Sequence, residues 1–394
     1  MFRVVAIVGL LLVIYSCKQQ KLATQTSIDD AYVQQDTTNI EPTYFVTSTG
    51  DTLDVLGKEV DLEISRVIKD TWTLIGVGDI MMGTNFPNES YLPPKGGVIL
   101  WSEVSDTLSQ ADVTFGNLEG VILNEGGEQK NCRNPKVCYL FRSPESYLQH
   151  LVDAGFDAVS LANNHAGDFG PTGRKNTMKI LDSLGINYAG LLTVPTSTFM
   201  IDGMYYGLVA FAPNVGTVSI HDEEKAIRLV SELDSLVDVV IVSFHAGAEG
   251  AKHQHVTRQT ETFYGENRGN VYDFSRKMID AGGDVIFGHG PHVTRAIDIY
   301  QDRFIAYSLG NFCTYGRFNL RGVNGIAPIV KIKTDSSGKF LAGQVIPIVQ
   351  PGAGGPKFDS KNRAIKVIQD LTQKDFPESQ LSIDDSGIIS YLQN

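Results

Sequence analysis

Five times along this chain a short apolar run stops at a small polar cluster. The clusters are Gly78-Asp79-Ile80-Met81-Met82-Gly83, Gly116-Asn117-Leu118-Glu119-Gly120, Asn163-Asn164-His165, His245-Ala246-Gly247-Ala248-Glu249 and Gly288-His289-Gly290-Pro291-His292. The apolar runs before them cover residues 74–77, 113–115, 158–162, 239–244 and 285–287. Short apolar stretches rich in β-branched residues and bounded by glycine read as buried strands. In open α/β sheets, ligands bind just beyond the carboxyl ends of the strands. Five strands that each deliver Asp, Glu, Asn or His at that edge predict one shared site. Those side chains hold hard or borderline divalent metals.

Between these runs the periodicity turns helical. Helices are predicted over residues 102–110, 144–154, 170–184, 223–237 and 271–281, with Ser143 as an N-cap, Pro144 at the first helical position and Gly185 as a stop. Strands alternating with helices predict βαβ units, hence an α/β fold with a mixed sheet. A further strand is expected over 303–309. Strands over 326–332 and 340–349 have no helix between them and should pair antiparallel. Residues 356–394 read as an appendage, with a helix near 361–371 and a second near 387–392.

The amino terminus carries an export signal. Arg3 precedes an apolar stretch over residues 4–14, short of the roughly 20 residues that span a bilayer. It closes on Ile14-Tyr15-Ser16-Cys17, which resembles a bacterial lipobox; the plainer alternative is an ordinary signal peptide with an incidental cysteine. The lipobox reading implies cleavage after residue 16 and a lipid on Cys17, holding the chain to the membrane. Residues 17–70 read as a tether followed by a peripheral strand or two near 45–56, and residues 71–355 as the functional domain. The net charge of −12 argues against a nucleic-acid partner, which demands a basic surface. Cys132 and Cys138 flank a turn-prone loop, where a disulfide is preferred to a metal clip in an exported protein. Cys313 has no sequence neighbour that would activate it.

As metal ligands, Asp79 and Glu119 supply anionic oxygens, Asn164 a carbonyl, and His245, His289 and His292 imidazoles. Such a set holds one divalent ion or a pair, with Mn, Zn, Fe and Mg all candidates. His165 is placed to protonate a leaving group. Each cluster alone has a bland reading as a turn, a cap or a buried hydrogen-bonder; their shared position at strand ends argues for a site. Neither a dinucleotide fingerprint, a Walker A loop nor a Gly-x-Ser-x-Gly elbow is present.

The order of clusters resembles the CapA family of poly-γ-glutamate capsule-synthesis proteins, related to calcineurin-like metallophosphoesterases. The resemblance covers roughly residues 71–350. It includes Phe141-Arg142-Ser143-Pro144-Glu145, the run from Gly155 through Asn163-Asn164-His165 to Asp168, the run from Ile279 through His289 to Val293, and Tyr307-Ser308-Leu309-Gly310-Asn311-Phe312. It implies a four-layer α/β/β/α sandwich with a second sheet. It also implies an extracytoplasmic, envelope-located role with a polyanionic polymer such as poly-γ-glutamate, alongside other capsule-synthesis subunits. Asp79 matches the first metallophosphoesterase motif, Glu119 the bridging carboxylate, Asn164 and His165 the Asn-His motif, and His245, His289 and His292 the later histidines. Arg142, Asn117 and Glu249 are assigned to substrate contact. Met81 stands where that class has a histidine, Glu119 replaces an aspartate, Ala166 follows Asn-His, and the last two histidines are one residue further apart. Three functions follow as expectations: a phosphoester-type hydrolase, a non-catalytic polyanion-binding assembly factor, and a hydrolase of γ-glutamyl amides.

Overall fold

The computed structural model describes residues 44–46, 52–54, 69–131 and 138–392. The chain divides into two compact units, Met1–Val67 and Ile68–Asn394. In the first unit the described strands Tyr44–Val46 and Thr52–Asp54 pair antiparallel, in the stretch where peripheral strands were expected. The export signal and Cys17 lie outside the described residues. No helix among the described residues is long and apolar enough to cross a membrane.

The second unit starts with β1 (Trp72–Met81), β2 (Val113–Leu118), β3 (Ala158–Ser160) and β4 (Asn187–Ala189), which lie side by side in parallel. The chain then builds a separate six-stranded sheet. Its members are β5 (Thr196–Ile201), β6 (Met204–Phe211), β7 (Val239–His245), β8 (Val285–His289), β9 (Ile297–Tyr300) and β10 (Arg303–Ala306). Strands β6, β7, β8 and β10 are parallel neighbours, and β5 and β9 are antiparallel edges. The chain returns to the first sheet with β11 (Asn311–Thr314), parallel to β1. It continues with β12 (Ile326–Thr334) and β13 (Phe340–Val349), which pair antiparallel as expected, and ends with β14 (Leu381–Ile383) and β15 (Ile388–Tyr391).

Three apolar clusters follow from strand alternation, because successive side chains leave a strand on opposite faces. Leu74, Phe115, Leu208, Ile241, Phe287 and Val330 share one cluster with contributions from both sheets. Ile75, Val77, Val159 and Ile329 pack with Leu148, Leu151 and Leu181 on the first sheet's other face. Val209, Val240, Val242 and Ile286 pack with Ala226, Val230, Phe274 and Met278 beside the second sheet. The sheets meet closely: the Phe115 and Phe287 rings stack at 5.6 Å, and a Cβ at Gly76 would collide with the Phe287 ring.

The longer helices are α1 (Gly170–Leu184), α2 (Glu223–Asp234), α3 (Val271–Asp280) and α4 (Arg363–Asp375); two short ones, Ser105–Leu108 and Gln149–Asp153, lie in the first two stretches expected to be helical. Gly185 ends α1 in a left-handed conformation, φ 70°. Asp222 and Asn270 cap α2 and α3 through their side chains.

Five expectations are corrected. The residues alone predicted one mixed sheet, and there are two; strands buried on both faces carry no mark of which sheet they join. The predicted strand over 303–309 stops at Ala306, and Asn311–Thr314 pairs in the other sheet. Ser143 caps no helix: it lies in the short strand Arg142–Ser143, and its Oγ donates to Gly83 O at 2.6 Å. The C-terminal stretch is no appendage, since α4 buries Ile365 and Ile368 in the cluster shared by the sheets. Residues 388–391 form a strand on β13 rather than a helix. Cys138 is disulfide-bonded, with its partner outside the described residues. Cys313 is a buried free thiol whose pKa burial pushes up.

Candidate metal centre

The parallel strands set the register of the site. Asp79 lies opposite Asn117, Asn117 opposite Ser160, and His245 opposite His289. All sit at or next to the carboxyl ends of their strands, on both sheets. The pairing of β1 with β2 is irregular between Gly76 and Asp79. Gly78 lies in that irregularity, against the Leu309 and Gly310 carbonyls. Asp79 N donates to Gly310 O at 2.9 Å.

Asp79 is wholly buried. Its Oδ1 accepts from Asn117 Nδ2 and its Oδ2 from His292 Nδ1, both at 2.8 Å. That bond fixes His292 so that Nε2 faces Glu119 Oε1 at 3.6 Å. His245 Nε2 and His165 Nε2 each lie 3.9 Å from the same oxygen. His292 holds a left-handed backbone, φ 56°, a conformation that costs energy outside glycine and concentrates at functional sites.

Glu119 Oε1 and Oε2 and His245 Nε2 are buried without a hydrogen-bond partner among the described residues. Leaving such atoms unpaired is costly, and a cation would satisfy all three. Ligand atoms of Glu119, His245 and His292 lie within 4.8 Å of one another. One carboxylate and two imidazoles form a donor set suited to Zn, Mn or Fe. The residues therefore fit a divalent ion. As placed, Asn117 Nδ2 faces His245 Nδ1 at 3.2 Å. Ligation through Nε2 puts the proton on Nδ1, so the contact with Asn117 Nδ2, whose amide is held by Asp79 and Asn163, is then no longer a hydrogen bond.

Electrostatics follow from burial and crowding. Burial, with the Asp79 charge nearby, pushes Glu119 up to about 7 against the pull of His292 and His165. Burial opposes charge on His292, but Glu119 and the Asp79 hydrogen bond outweigh it and raise the imidazole to about 10. His245 is held well below the usual range by burial first, then by the neighbouring charge of His292.

His165 stands at the rim. Its Nδ1 pairs with Asp168 Oδ2 at 2.7 Å, and Asp168 is itself fixed by the Phe141 N–H at 2.8 Å. The Phe141 ring lies 4.4 Å from the imidazole. This leaves Nε2 toward Glu119.

The profile of the family described as bacterial capsule synthesis protein PGA_cap matches residues 73–315. The chain belongs to the bacterial capsule synthesis protein family. Among its relatives, the capsule biosynthesis protein CapA of Bacillus anthracis is 28% identical over 260 residues, covering 61% of this chain and 59% of that one. The match therefore spans less than two thirds of that relative. The PGA biosynthesis protein CapA of Bacillus subtilis (strain 168) is 27% identical over 338 residues, covering 80% and 82%. A solved putative 5'-nucleotidase from Staphylococcus aureus overlaps with a TM-score of 0.39 at 14% identity, covering 77% of this chain and 58% of that chain, a level that decides neither fold nor chemistry.

Within this member of the family the expected site residues separate into groups. Glu119, His245 and His292, read from the sequence as ligands, lie together. Asp79 orients His292, with both its oxygens already hydrogen-bonded. His289 does not face the group, because its Nε2 lies 3.0 Å from Val77 O and its Nδ1 3.3 Å from Ser243 Oγ; burial lowers its pKa. Asn164 Oδ1 is buried without a partner among the described residues, and its backbone oxygen accepts from Lys130 Nζ at 2.7 Å. Asn117, assigned to substrate, is wholly buried and joins Asp79, His245 and Asn163 instead. Arg142 is held by Asn85 Oδ1 and Gly126 O at 2.6 and 2.7 Å, over the Phe169 ring, so its guanidinium braces loops. Glu249 pairs with buried Arg268 at 3.0 Å.

Four residues at the site were given no role from the sequence. Asn163 donates to Asn117 Oδ1 and Leu118 O and accepts from His165 N. Asp168 orients His165, and the i, i+3 spacing of the pair was a usable signal. Phe141 and Phe318, stacked at 5.1 Å, wall the histidines; Phe141 lies in a segment of the resemblance, and nothing in its sequence context marks Phe318.

Proposed function

We propose that this capsule-synthesis chain is a metal-dependent hydrolase acting on an anionic envelope polymer of the poly-γ-glutamate type. The observation that supports this best is the convergence of the orphaned Glu119 and His245 atoms with the Asp79-oriented His292. A bound divalent ion would supply an activated water and a Lewis acid there. Glu119, His245 and His292 would hold it. Asn117 and Asp79 keep the ligands in register. His165, its Nδ1 tied to Asp168, carries a proton on Nε2 to the leaving group when the bond is cut. Phe141 and Phe318 limit water at the histidine faces. The names of the Bacillus relatives point to capsule or PGA biosynthesis, and the reading adopts that polymer class for this chain, at the cell envelope, anchored through a lipid on Cys17.

The test is direct. Metal content is measured on purified protein, and turnover on phosphomonoester, phosphodiester and γ-glutamyl amide substrates, for wild type and His165→Ala. Bound metal with activity lost on removing His165 supports the reading. Absence of metal together with no His165-dependent turnover sinks it. Cys17→Ala should move the protein from the detergent to the aqueous phase on partitioning.

A second reading, a non-catalytic polyanion-binding assembly factor, is favoured by two observations. Met81 stands where a ligand histidine was expected, and His289 spends both nitrogens on the protein. Polymer binding that persists in His165→Ala without turnover by wild type would select it.

A further inference from the structure

The rim of the site is built from three chain segments, and they meet on one arginine. Arg317 has its guanidinium over two rings, 5.0 Å from the Tyr91 centroid and 4.9 Å from the Tyr139 centroid. The next residue, Phe318, has its ring 6.2 Å from that of His292 and 5.1 Å from that of Phe141. Phe141, two residues after Tyr139, lies 4.4 Å from His165. One of the two segments that hold Arg317, and the segment of Arg317 itself, therefore each carry a ring against a site histidine. The third, at Tyr91, sits against the same loop, with Gly316 packed on its backbone.

The chemistry of this clamp is specific. A guanidinium offers its faces to aromatic rings and its N–H donors in its own plane. Stacking uses the faces and leaves the donors available. Arg317 has no ion pair or side-chain hydrogen bond among the described residues, whereas Arg295, Arg268 and Arg276 each pair with a carboxylate. The residue is half-buried between the two rings, so part of it meets solvent. A net charge of −12 and a site holding Asp79, Glu119 and Asp168 would repel a polyanion, and a positioned cation at the mouth offsets that locally.

We infer that Arg317 is a specificity-determining residue that seats an anionic group of the substrate, a carboxylate or phosphoryl group beside the bond to be cut. The inference rests on the proposed reading of the site as one for an anionic polymer, and it names the group that the polymer presents. A two-oxygen head matches the planar donor edge, as a point charge would not.

The experiment is calorimetric binding to the folded full-length protein, with and without a chelator, using a short γ-linked glutamate oligomer and inorganic phosphate as separate probes. The variants are Arg317→Lys, which keeps the charge but not the fork, Arg317→Ala, and Tyr139→Leu, which removes one stacking face. One charge-assisted contact is worth about tenfold in affinity. The expected result is that Arg317→Ala and Arg317→Lys each weaken binding about tenfold, with Tyr139→Leu between them and wild type. Metal content should stay unchanged. Preference for the oligomer identifies a carboxylate, and preference for phosphate a phosphoryl group; binding of either supports the inference. Wild type binding neither probe, or Arg317 variants binding within threefold of wild type, overturns it. Because binding is read without turnover, an inactive or metal-free protein would count against the hydrolase reading while leaving this one standing.

Discussion

Asp79 Oδ2 accepts from His292 Nδ1 at 2.8 Å, and this bond decides which nitrogen of His292 faces Glu119. Carboxylates that hold the far nitrogen of a metal-binding histidine fix its tautomer and raise its basicity; losing one typically costs about 10–100-fold in metal affinity. Asp79→Asn should show a loss of that size in a titration against a competing chelator. Unchanged affinity would mean that His292 is not a ligand.

Glu119 tests the site from the other side. Its carboxylate is buried with no hydrogen-bond partner among the described residues, an arrangement that costs stability unless a cation compensates. Metal at about 100 times its Kd should stabilise wild type by about 2.7 kcal/mol and Glu119→Gln not at all. Thermal melts with and without added metal check both.

The sequence revealed the strand ends but not their grouping. Asp79, Glu119, His245 and His292 were legible because apolar runs ending in polar clusters survive any choice of sheet. Whether Ile241 and Phe287 join the sheet of Leu74 or another was not legible, since a strand buried on both faces looks the same in either; the strand of Leu208 was not read at all. His289 misled for a related reason: a histidine at a strand end reads as a ligand until Val77 O and Ser243 are seen to take its nitrogens. Asn117 misled because a polar side chain beside a site suggests substrate, whereas full burial makes it a brace. The C-terminal strand at Ile388–Tyr391 was missed because four residues cannot establish a period.

His165 separates catalysis from metal binding. Its Nε2 lies 3.9 Å from Glu119 and its Nδ1 is tied to Asp168 at 2.7 Å. Positioned general acids contribute about 10²–10⁴-fold. His165→Ala should lower kcat by that much on the best substrate while metal content stays at the wild-type level. Asp168→Asn should give a smaller loss. Elemental analysis alongside steady-state kinetics distinguishes this from a collapse of the site.

Asp284 predicts a pH effect away from the metal centre. Burial pushes its carboxyl up to about 7, opposed by the Val240 N–H and Arg303 at 2.8 Å and aided by Asp234. The folded pKa lies above the unfolded one, so the folded state holds the proton longer. Its contribution is fully present below about pH 4 and is lost as pH rises through 7, a change on the order of a few kcal/mol. Wild type should thus be favoured at pH 5.5 over pH 8 by this group, and Asp284→Asn should flatten that difference. Melts of both proteins at the two pH values, with chelator present, provide the check; parallel slopes would refute it.

Gly78 ties the fold to the site. A Cβ there would collide with the Gly310 carbonyl oxygen and approach Leu309 O to 2.6 Å. Both are backbone atoms, so no rotamer change relieves the contact. The same Gly310 oxygen accepts from Asp79 N, which means a methyl at residue 78 pushes on the segment that positions Asp79 and, through it, His292. Gly78→Ala should cost about 1–3 kcal/mol, as overpacking does, and should weaken metal binding as well. Gly203→Ala is the control: its φ of 83° strains an alanine, but nothing lies within 4 Å. It should cost about 1 kcal/mol and leave metal affinity untouched. If the two variants lose stability equally and neither changes metal affinity, the bulge at Gly78 is a folding feature alone and the link from β1 to His292 fails.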